Sequence, residues 1–245
     1  MADFLPGVPT EKVIARLNQA AGNELESGKL ASPESSAALA VNTFGWFMER
    51  PAALPRFPGV EGWSEPQAVT VEYCARFPWT GGRHPWLDAM VETAALLIGV
   101  ESKRFEPFRD RKAVALSPAY DRPAWGDQMG PYESMRDALR SGALRFDHLD
   151  AAQLVKHAFG LVTDARRRAK QPVLVYLFAE PAERNGVALS PAVFGAHREE
   201  IRRFAEHVAG AEVRFAALSY REWLATWRGG AAEAHAAAIV AAYQP

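Results

Sequence analysis

The part of this chain that most constrains its fold is a pair of apolar segments, residues 87–92 and 96–103, which carry acidic residues and a lysine. The short break between them predicts two antiparallel strands joined by a tight turn. If Ala94-Ala95 forms a two-residue turn, Asp88 stands directly opposite Glu101. Residues opposite each other on paired strands have Cβ atoms about 4.5–5.5 Å apart, so both carboxylates can hold one divalent cation.

Strand alternation then predicts which acids share a face. It places Lys103 on the face of Glu101, and Glu92 on the face of Asp88. Like charges opposite each other in a sheet are destabilising, and a bound metal ion would remove that conflict. The alternative is that Asp88 and Glu92 face solvent while Glu101 and Lys103 form an ordinary surface ladder. The second segment is apolar on both faces, as in a central buried strand, and this favours the metal site.

The residue types at this hairpin also indicate which metal it would hold. The candidate ligands are hard oxygen atoms, and the motif contains neither cysteine nor histidine. Zinc prefers thiolate and imidazole ligands, whereas carboxylates suit Mg²⁺ and Mn²⁺. The sequence therefore predicts Mg²⁺, with Mn²⁺ as a substitute.

The motif Pro85-Trp86-Leu87-Asp88, followed by a hairpin and Gly99-Val100-Glu101-Ser102-Lys103, resembles the PD-(D/E)XK superfamily of restriction-endonuclease-like nucleases. More narrowly, it is similar to restriction-endonuclease-like proteins of bacterial genomes. The resemblance implies that Asp88 and Glu101 bind the metal, that the Ser102 main-chain carbonyl adds a ligand, and that Lys103 is the catalytic lysine that orients water. One departure is that the proline lies three residues before the aspartate instead of beside it.

The order of predicted elements extends the resemblance beyond the motif. Helices are predicted at residues 10–22, 32–48, 133–140, 150–161 and 190–208, strands at 68–77, 87–92, 96–103, 173–178 and 213–218, a long irregular loop at 105–132, and further helices at the C-terminus. Ser32 is the expected cap of the second helix. This order matches the αβββαβ core that the resemblance implies: an α/β (α+β) fold with a mixed central sheet flanked by helices and extra terminal helices. We expect one domain over residues 1–245, with its core at about 32–220.

Several other polar residues are candidates for accessory roles. On the helix after the hairpin, Gln153, Lys156 and His157 can share one flank. The resemblance implies a supporting role for Gln153 and Lys156, although a polar helix face explains them equally well. Glu72, in the first strand, either approaches the metal or faces outward. Glu34 is either the extra acid that some members of the superfamily use or a residue that interacts with a helix dipole.

Charge bears on the expected partner. The chain has 28 basic and 29 acidic residues, so its net charge of −1 does not favour non-specific coating of nucleic acid, although a local basic groove remains compatible with it. The candidates for phosphate contact are Arg83, His84, the cluster Arg166-Arg167-Arg168 with Lys170, and the cluster Arg198 with Arg202-Arg203. The candidates for base stacking are Trp46, Trp63, Trp79, Trp86 and Trp125. Solvated faces and ordinary packing are the alternative explanations of these residues.

Missing motifs exclude several other functions. The sequence has no GxxxxGK[ST], GxGxxG, CxxC, HExxH or GxSxG motif. The single cysteine, Cys74, and an N-terminus without a basic region followed by an apolar run fit the cytoplasm, and no segment is apolar enough to span a membrane. We therefore expect a metal-dependent endonuclease that acts on nucleic acid, with DNA favoured. Double-strand cleavage by one site per chain would call for a homodimer. The rival class is a catalytically inactive binding or interaction protein with the nuclease fold.

Overall fold

The computed structural model describes residues 4–20, 28–32, 34–110 and 112–245. Its strands are β1 (Ala68–Cys74), β2 (Trp86–Glu92), β3 (Leu96–Lys103), β4 (Gln171–Phe178), β5 (Glu183–Arg184), β6 (Val187–Ala188) and β7 (Arg214–Ser219). Five of them form one sheet in the order β1-β2-β3-β4-β7, while β5 and β6 form a small hairpin. The pairs β1–β2 and β2–β3 are antiparallel, and the pairs β3–β4 and β4–β7 are parallel. The sheet is therefore mixed, as predicted.

Helices cover both faces of this sheet. They are α1 (Thr10–Gln19), α2 (Ser36–Gly45), α3 (Glu106–Arg109), α4 (Gly130–Ser141), α5 (Ala151–Arg167), α6 (Pro191–His207), α7 (Tyr220–Leu224) and α8 (Gly230–Tyr243). Residues of α1, α2 and α8 pack with one face of the sheet in a first core cluster. Residues of α4, α5 and α6 pack with the other face in a second core cluster. No helix in the described ranges is both long and apolar enough to cross a membrane.

Burial explains why β3 lies at the centre of the sheet. All its residues except Lys103 at the end are buried, which only a strand covered on both faces and paired on both edges achieves. The hairpin register is also confirmed, because Ala89 pairs with Val100 and Glu92 with Leu97. The α/β fold with a mixed central sheet and flanking helices is thus correct, while the expectation of a single domain stays a prediction.

Three local predictions need correction. Helix α2 is capped by Ser35 instead of Ser32, since the Ser35 hydroxyl accepts a hydrogen bond from the Ala38 amide. The predicted loop at 105–132 contains α3, two 3₁₀ turns and the start of α4, because its prolines and glycine stand at the first positions of short helices. The hairpin of β5 and β6 was not predicted. Residues 21 and 22 of the first predicted helix, and Pro33, lie outside the described residues.

Candidate active site

Three acids from three neighbouring strands lie in one row across the sheet. The register on either side places Glu72 of β1 opposite Asp88 of β2, and Asp88 opposite Glu101 of β3. These residues and Lys103 line a cavity of about 500 Å³. The cavity lies between the N-terminal ends of α2 and α5, with Gln153 of α5 in its wall. The fold thus gathers charged side chains at one end of the central strands.

The alternation of side chains along β1 and β2 is interrupted at this row. The flanking residues pack into different clusters: Val71 and Ala89 into the first, and Tyr73 and Leu87 into or against the second. Residues two apart in a regular strand share a face, so both strands change face at Glu72 and Asp88. Glu72 has a φ of 49°, a left-handed conformation that is uncommon for a residue other than glycine.

Arg16 of α1 holds the backbone of β1 at this interruption. Its guanidinium donates to the carbonyl of Val71 at 3.2 Å and to the carbonyl of Glu72 at 2.8 Å. A left-handed residue turns its carbonyl out of the regular ladder, and these two charge-assisted bonds satisfy the carbonyls there. The contact with α1 therefore accounts for the conformation that directs Glu72 into the cavity.

The ladder between β2 and β3 opens at Asp88. Its last pair at this end is Ala89 with Val100, and the amide of Ser102 donates to Asp88 Oδ2 at 2.6 Å. The carboxylate thus takes the place of a backbone acceptor in the ladder. This bond fixes one oxygen of Asp88 against β3, beside Glu101.

Two basic side chains, Lys103 and His157, contact the carboxylate of Glu101, which is only 2% exposed. Lys103 Nζ lies 2.5 Å from Oε1, and His157 Nε2 of α5 lies 3.0 Å from Oε2. Burial by itself raises the pKa of Glu101, but Lys103 and His157 together lower this pKa to about 2. Glu101 is therefore a carboxylate held in its ionised form.

Asp88 and Lys103 respond in opposite ways to the same environment. Burial and the neighbouring charge of Glu101 raise the pKa of Asp88 well above its ordinary value. Burial lowers the pKa of Lys103, but Glu101 and Asp88 outweigh it and raise this pKa above the usual range. The site consequently holds a protonated lysine, an ionised glutamate and an aspartate whose charge lacks full compensation.

The rim of the cavity is built from ion pairs that the sequence did not reveal. Glu34 forms pairs with Arg184 at 2.7 Å and Arg109 at 2.5 Å, and the hydrogen bond from Arg184 is the main cause of the lowered pKa of Glu34. Glu106 accepts from the Ser36 hydroxyl at 2.5 Å. These contacts tie α2 and α3 together at the entrance.

The structure brings together most of the residues that the sequence singled out. Asp88, Glu101 and Lys103 are in one cluster, and Glu72, Gln153 and Glu34 line the same cavity, with Glu34 held by arginines. Lys156 lines an adjoining cavity instead. Ser102 is adjacent through its amide. His157 was noted only as sharing a flank with Gln153; its spacing of four residues was the available signal.

Glu92 is not part of the cluster. It forms ion pairs with Arg168 at 2.6 Å and Lys170 at 3.3 Å, at the turn end of the hairpin. The expectation that it shares the face of Asp88 is wrong because the alternation is interrupted at Asp88. In addition, four strand residues separate two side chains by about 13 Å.

Carboxylates neutralise most of the predicted basic clusters. Arg166 pairs with Glu212, Arg167 with Asp164, Arg168 with Glu92, Arg198 with Glu180 and Arg202 with Glu199. Trp46 and Trp125 are buried in the core clusters, whereas Trp86 is partly exposed at the edge of the cavity. Within the described ranges, no group of three or more histidine, cysteine, aspartate or glutamate side chains is arranged to hold a metal ion. The row of acids is therefore not a preformed three-ligand cage.

Comparison with known proteins agrees with the restriction-endonuclease-like fold. No curated protein and no solved structure matches the chain. A family model described as "Restriction Endonuclease associating with ARP" matches residues 10–243, which include the whole sheet and the cavity. A match over nearly the whole chain shows the family, and the protein is a member of this restriction-endonuclease-like family.

Proposed function

We propose that the protein is a divalent-metal-dependent nuclease of the PD-(D/E)XK type that hydrolyses phosphodiester bonds in nucleic acid, with DNA favoured as substrate. The observation that carries this proposal is the opened ladder at Asp88, where two carboxylates on opposing strands lie beside Lys103. Two acids opposite each other on antiparallel strands would repel each other and be destabilising without a bound cation.

The donor set fits Mg²⁺ or Mn²⁺. Asp88 and Glu101 offer hard oxygen ligands, and the raised pKa of Asp88, caused by burial and by Glu101, shows a local excess of negative charge that a cation would relieve. Mg²⁺ commonly binds one or two carboxylates together with water and substrate phosphate, so the two carboxylates of Asp88 and Glu101 are sufficient for this metal.

The Ser102 carbonyl is the proposed third protein ligand. In an extended strand the amide and carbonyl of one residue point to the same edge. The Ser102 amide points to Asp88, so we expect its carbonyl to point to the opened side of β3 as well. This edge has lost its partner strand at Asp88, which leaves the carbonyl available to a ligand.

The residues around the proposed metal position have separate roles in catalysis. A bound Mg²⁺ would polarise the scissile phosphate and lower the pKa of a coordinated water. Lys103, kept protonated by Glu101 and Asp88, acts as a cation that positions the attacking water and offsets developing negative charge. His157 contacts the second oxygen of Glu101 and orients this carboxylate.

Cleavage and metal binding together test the proposal. Labelled DNA and RNA are incubated with the protein in Mg²⁺, Mn²⁺ or EDTA, and Mn²⁺ binding is measured by calorimetry. Lys103→Ala should abolish cleavage while Mn²⁺ binding persists, and Asp88→Asn should lose both. The matched control is Lys12→Ala, which removes an exposed lysine paired with Glu49 at 2.8 Å and should change neither. Full activity of Lys103→Ala would contradict the assignment.

A second candidate is a nuclease-fold binding protein without activity. Its support is the net charge of −1 and the pairing of the arginine clusters with carboxylates, which leave little surface for a phosphate backbone. The same calorimetry separates the two candidates, because absence of Mn²⁺ binding at millimolar concentration favours the binding protein.

The number of copies at the substrate is part of the nuclease proposal. The described residues of each chain form one such cluster, so simultaneous cleavage of both strands by this cluster requires two chains. We propose a homodimer for the case in which both strands of a duplex are cleaved, and sedimentation with and without DNA measures this.

A further inference from the structure

A second cavity of about 640 Å³ adjoins the one that holds the acids. Trp86 and Gln153 line both cavities, so the two are contiguous. The second cavity has walls of different character, since aromatic rings and basic groups dominate it: Phe77, Trp79, His84, Tyr120, Arg83 and Lys156.

Most of these rings are packed against one another. Phe77 lies 4.9 Å from Trp79 and 5.6 Å from Tyr120, measured between ring centroids, and Arg122 covers the Trp79 ring at 4.5 Å. Trp86 differs from them. It is partly exposed at the boundary of the cavities, and no ring or cation stacks on it in the described part of the chain. Its ring is therefore the candidate stacking surface of this cavity.

Two basic groups of this cavity lack acidic partners. Unlike the paired arginine clusters, Lys156 and Arg83 have no carboxylate within 4 Å among the described residues. His157, also in the wall, is 2% exposed, and its Nδ1 atom has no hydrogen-bond partner in the same part of the molecule. A buried polar atom normally finds a partner, so this unpaired nitrogen is unusual.

The position of Trp86 relates the two cavities to one substrate. Trp86 and Asp88 are two residues apart on β2, which corresponds to about 7 Å along a strand. We propose that the second cavity binds one unstacked nucleobase of the strand whose phosphate lies at Asp88 and Glu101. Trp86 stacks on the base, and Lys156 and Arg83 contact neighbouring phosphates. The inference rests on the proposed function for the place of the phosphate.

This assignment specifies the substrate class. A volume of 640 Å³ lies within the range of small-ligand cavities, about 300–1,000 Å³, and is sufficient for a base. A base inside an intact duplex must leave the stack to reach such a cavity, at an energetic cost that is absent in single strands. The preferred substrate is therefore single-stranded or locally unpaired nucleic acid.

Binding measured without cleavage tests the inference. Fluorescein-labelled oligonucleotides of about 12 residues are titrated by anisotropy in Ca²⁺, using oligo(dT), oligo(U), an oligo(dT) with one abasic residue at each position in turn, and a blunt duplex. Trp86→Ala should weaken binding of oligo(dT) or oligo(U) about 5- to 100-fold, and Trp86→Tyr should retain most of it. One abasic position should cause a similar loss in the wild type and no further loss in Trp86→Ala.

Two further variants check that the effect of Trp86→Ala is specific to the second cavity. Trp63 is also partly exposed but packs against the first core cluster, so Trp63→Ala should bind like the wild type. Arg83 is exposed in a loop, so Arg83→Gln should weaken binding without affecting folding. Equal affinity for single strand and duplex, together with unchanged binding by Trp86→Ala and Arg83→Gln, would overturn the inference.

The two proposals fail in different ways. Duplex cleavage that needs Lys103 but not Trp86 would leave the nuclease intact and reject the base cavity. Base-dependent binding through Trp86, without cleavage in any metal, would reject the nuclease and retain the cavity. The comparison of oligo(dT) with oligo(U) shows which nucleic acid the cavity accepts.

Discussion

Replacing Lys103 by methionine is expected to destabilise the protein when no metal is present. Among the neighbouring groups, Lys103 lowers the pKa of Glu101 the most, and both side chains are largely buried. Methionine keeps the length and apolar stem of the side chain but leaves Glu101 without its lysine. Removing one partner of a buried pair leaves an uncompensated charge.

The size of the effect follows from the pKa of Glu101. A fall from 4.5 to about 2 corresponds to about 3 kcal/mol of stability, at 1.36 kcal/mol per unit. Because the folded-state pKa is lowered, this contribution is fully present above the unfolded value and is lost as pH falls through the folded one. With those two values, about 3 kcal/mol remains at pH 7 and about 2 kcal/mol at pH 3.5. Lys103 and His157 share this contribution while burial opposes it, so the expected loss on Lys103→Met is on the order of 3 kcal/mol at pH 7.

Urea unfolding followed by circular dichroism, in EDTA at pH 7 and pH 3.5, measures this difference. The free energy of unfolding of Lys103→Met should approach that of the wild type at the lower pH. Lys12→Met is the matched control: its lysine also pairs with a glutamate, but both are exposed, so stability should be unchanged. Wild-type stability of Lys103→Met at pH 7, or an equal loss at both pH values, would refute the reasoning.

Three further variants address the rest of the site. Asp88→Asn should raise the free energy of unfolding at pH 7 in EDTA. Burial and Glu101 raise the pKa of Asp88, so its ionised form is unfavourable in the folded protein. This gain in stability should shrink as the pH falls toward about 4. His157→Gln should weaken Mn²⁺ binding on the order of 10-fold in calorimetry, because Glu101 loses an orienting contact. Gly160→Ala should lower the free energy of unfolding by about 1–3 kcal/mol, since the added Cβ would lie 2.7 Å from a backbone oxygen. The control is Gly195→Ala, which has open space around it and should not destabilise the protein.

The hairpin could be predicted from the sequence because its determinants are local. A two-residue break fixes the register, and the Thr93 amide and hydroxyl bond with Leu96 to close the turn. The register then places Asp88 opposite Glu101 without knowledge of the rest of the chain. The central position of β3 followed from the same stretch, since a segment apolar on both faces must be covered on both faces.

The interrupted side-chain alternation at Glu72 and Asp88 could not be predicted, because it depends on contacts with distant parts of the chain. Glu72 lines the cavity at the point where Arg16, more than 50 residues earlier, donates to two carbonyls of β1. Regular alternation predicts the opposite arrangement, with Glu92 beside Asp88. The ion pair of Glu34 with Arg184, which are separated by 150 residues, could not be predicted from local sequence patterns either. Long-range contacts of this kind decided which acids join the site.

The departures from regular sheet geometry all lie in the row of Glu72, Asp88 and Glu101. Their occurrence in one place supports a functional role for this row. The row contains a left-handed Glu72, an opened ladder at Asp88 and a buried charge at Glu101. A left-handed non-glycine residue alone costs about 1–3 kcal/mol, and such costs persist only where the surrounding structure holds them. Regular pairing of β1 with β2 resumes immediately on both sides of Glu72 and Asp88, so the pairing of these two strands did not require the departures. Local rules are characteristically broken at functional sites, and these departures direct oxygen ligands and a lysine into the same cavity.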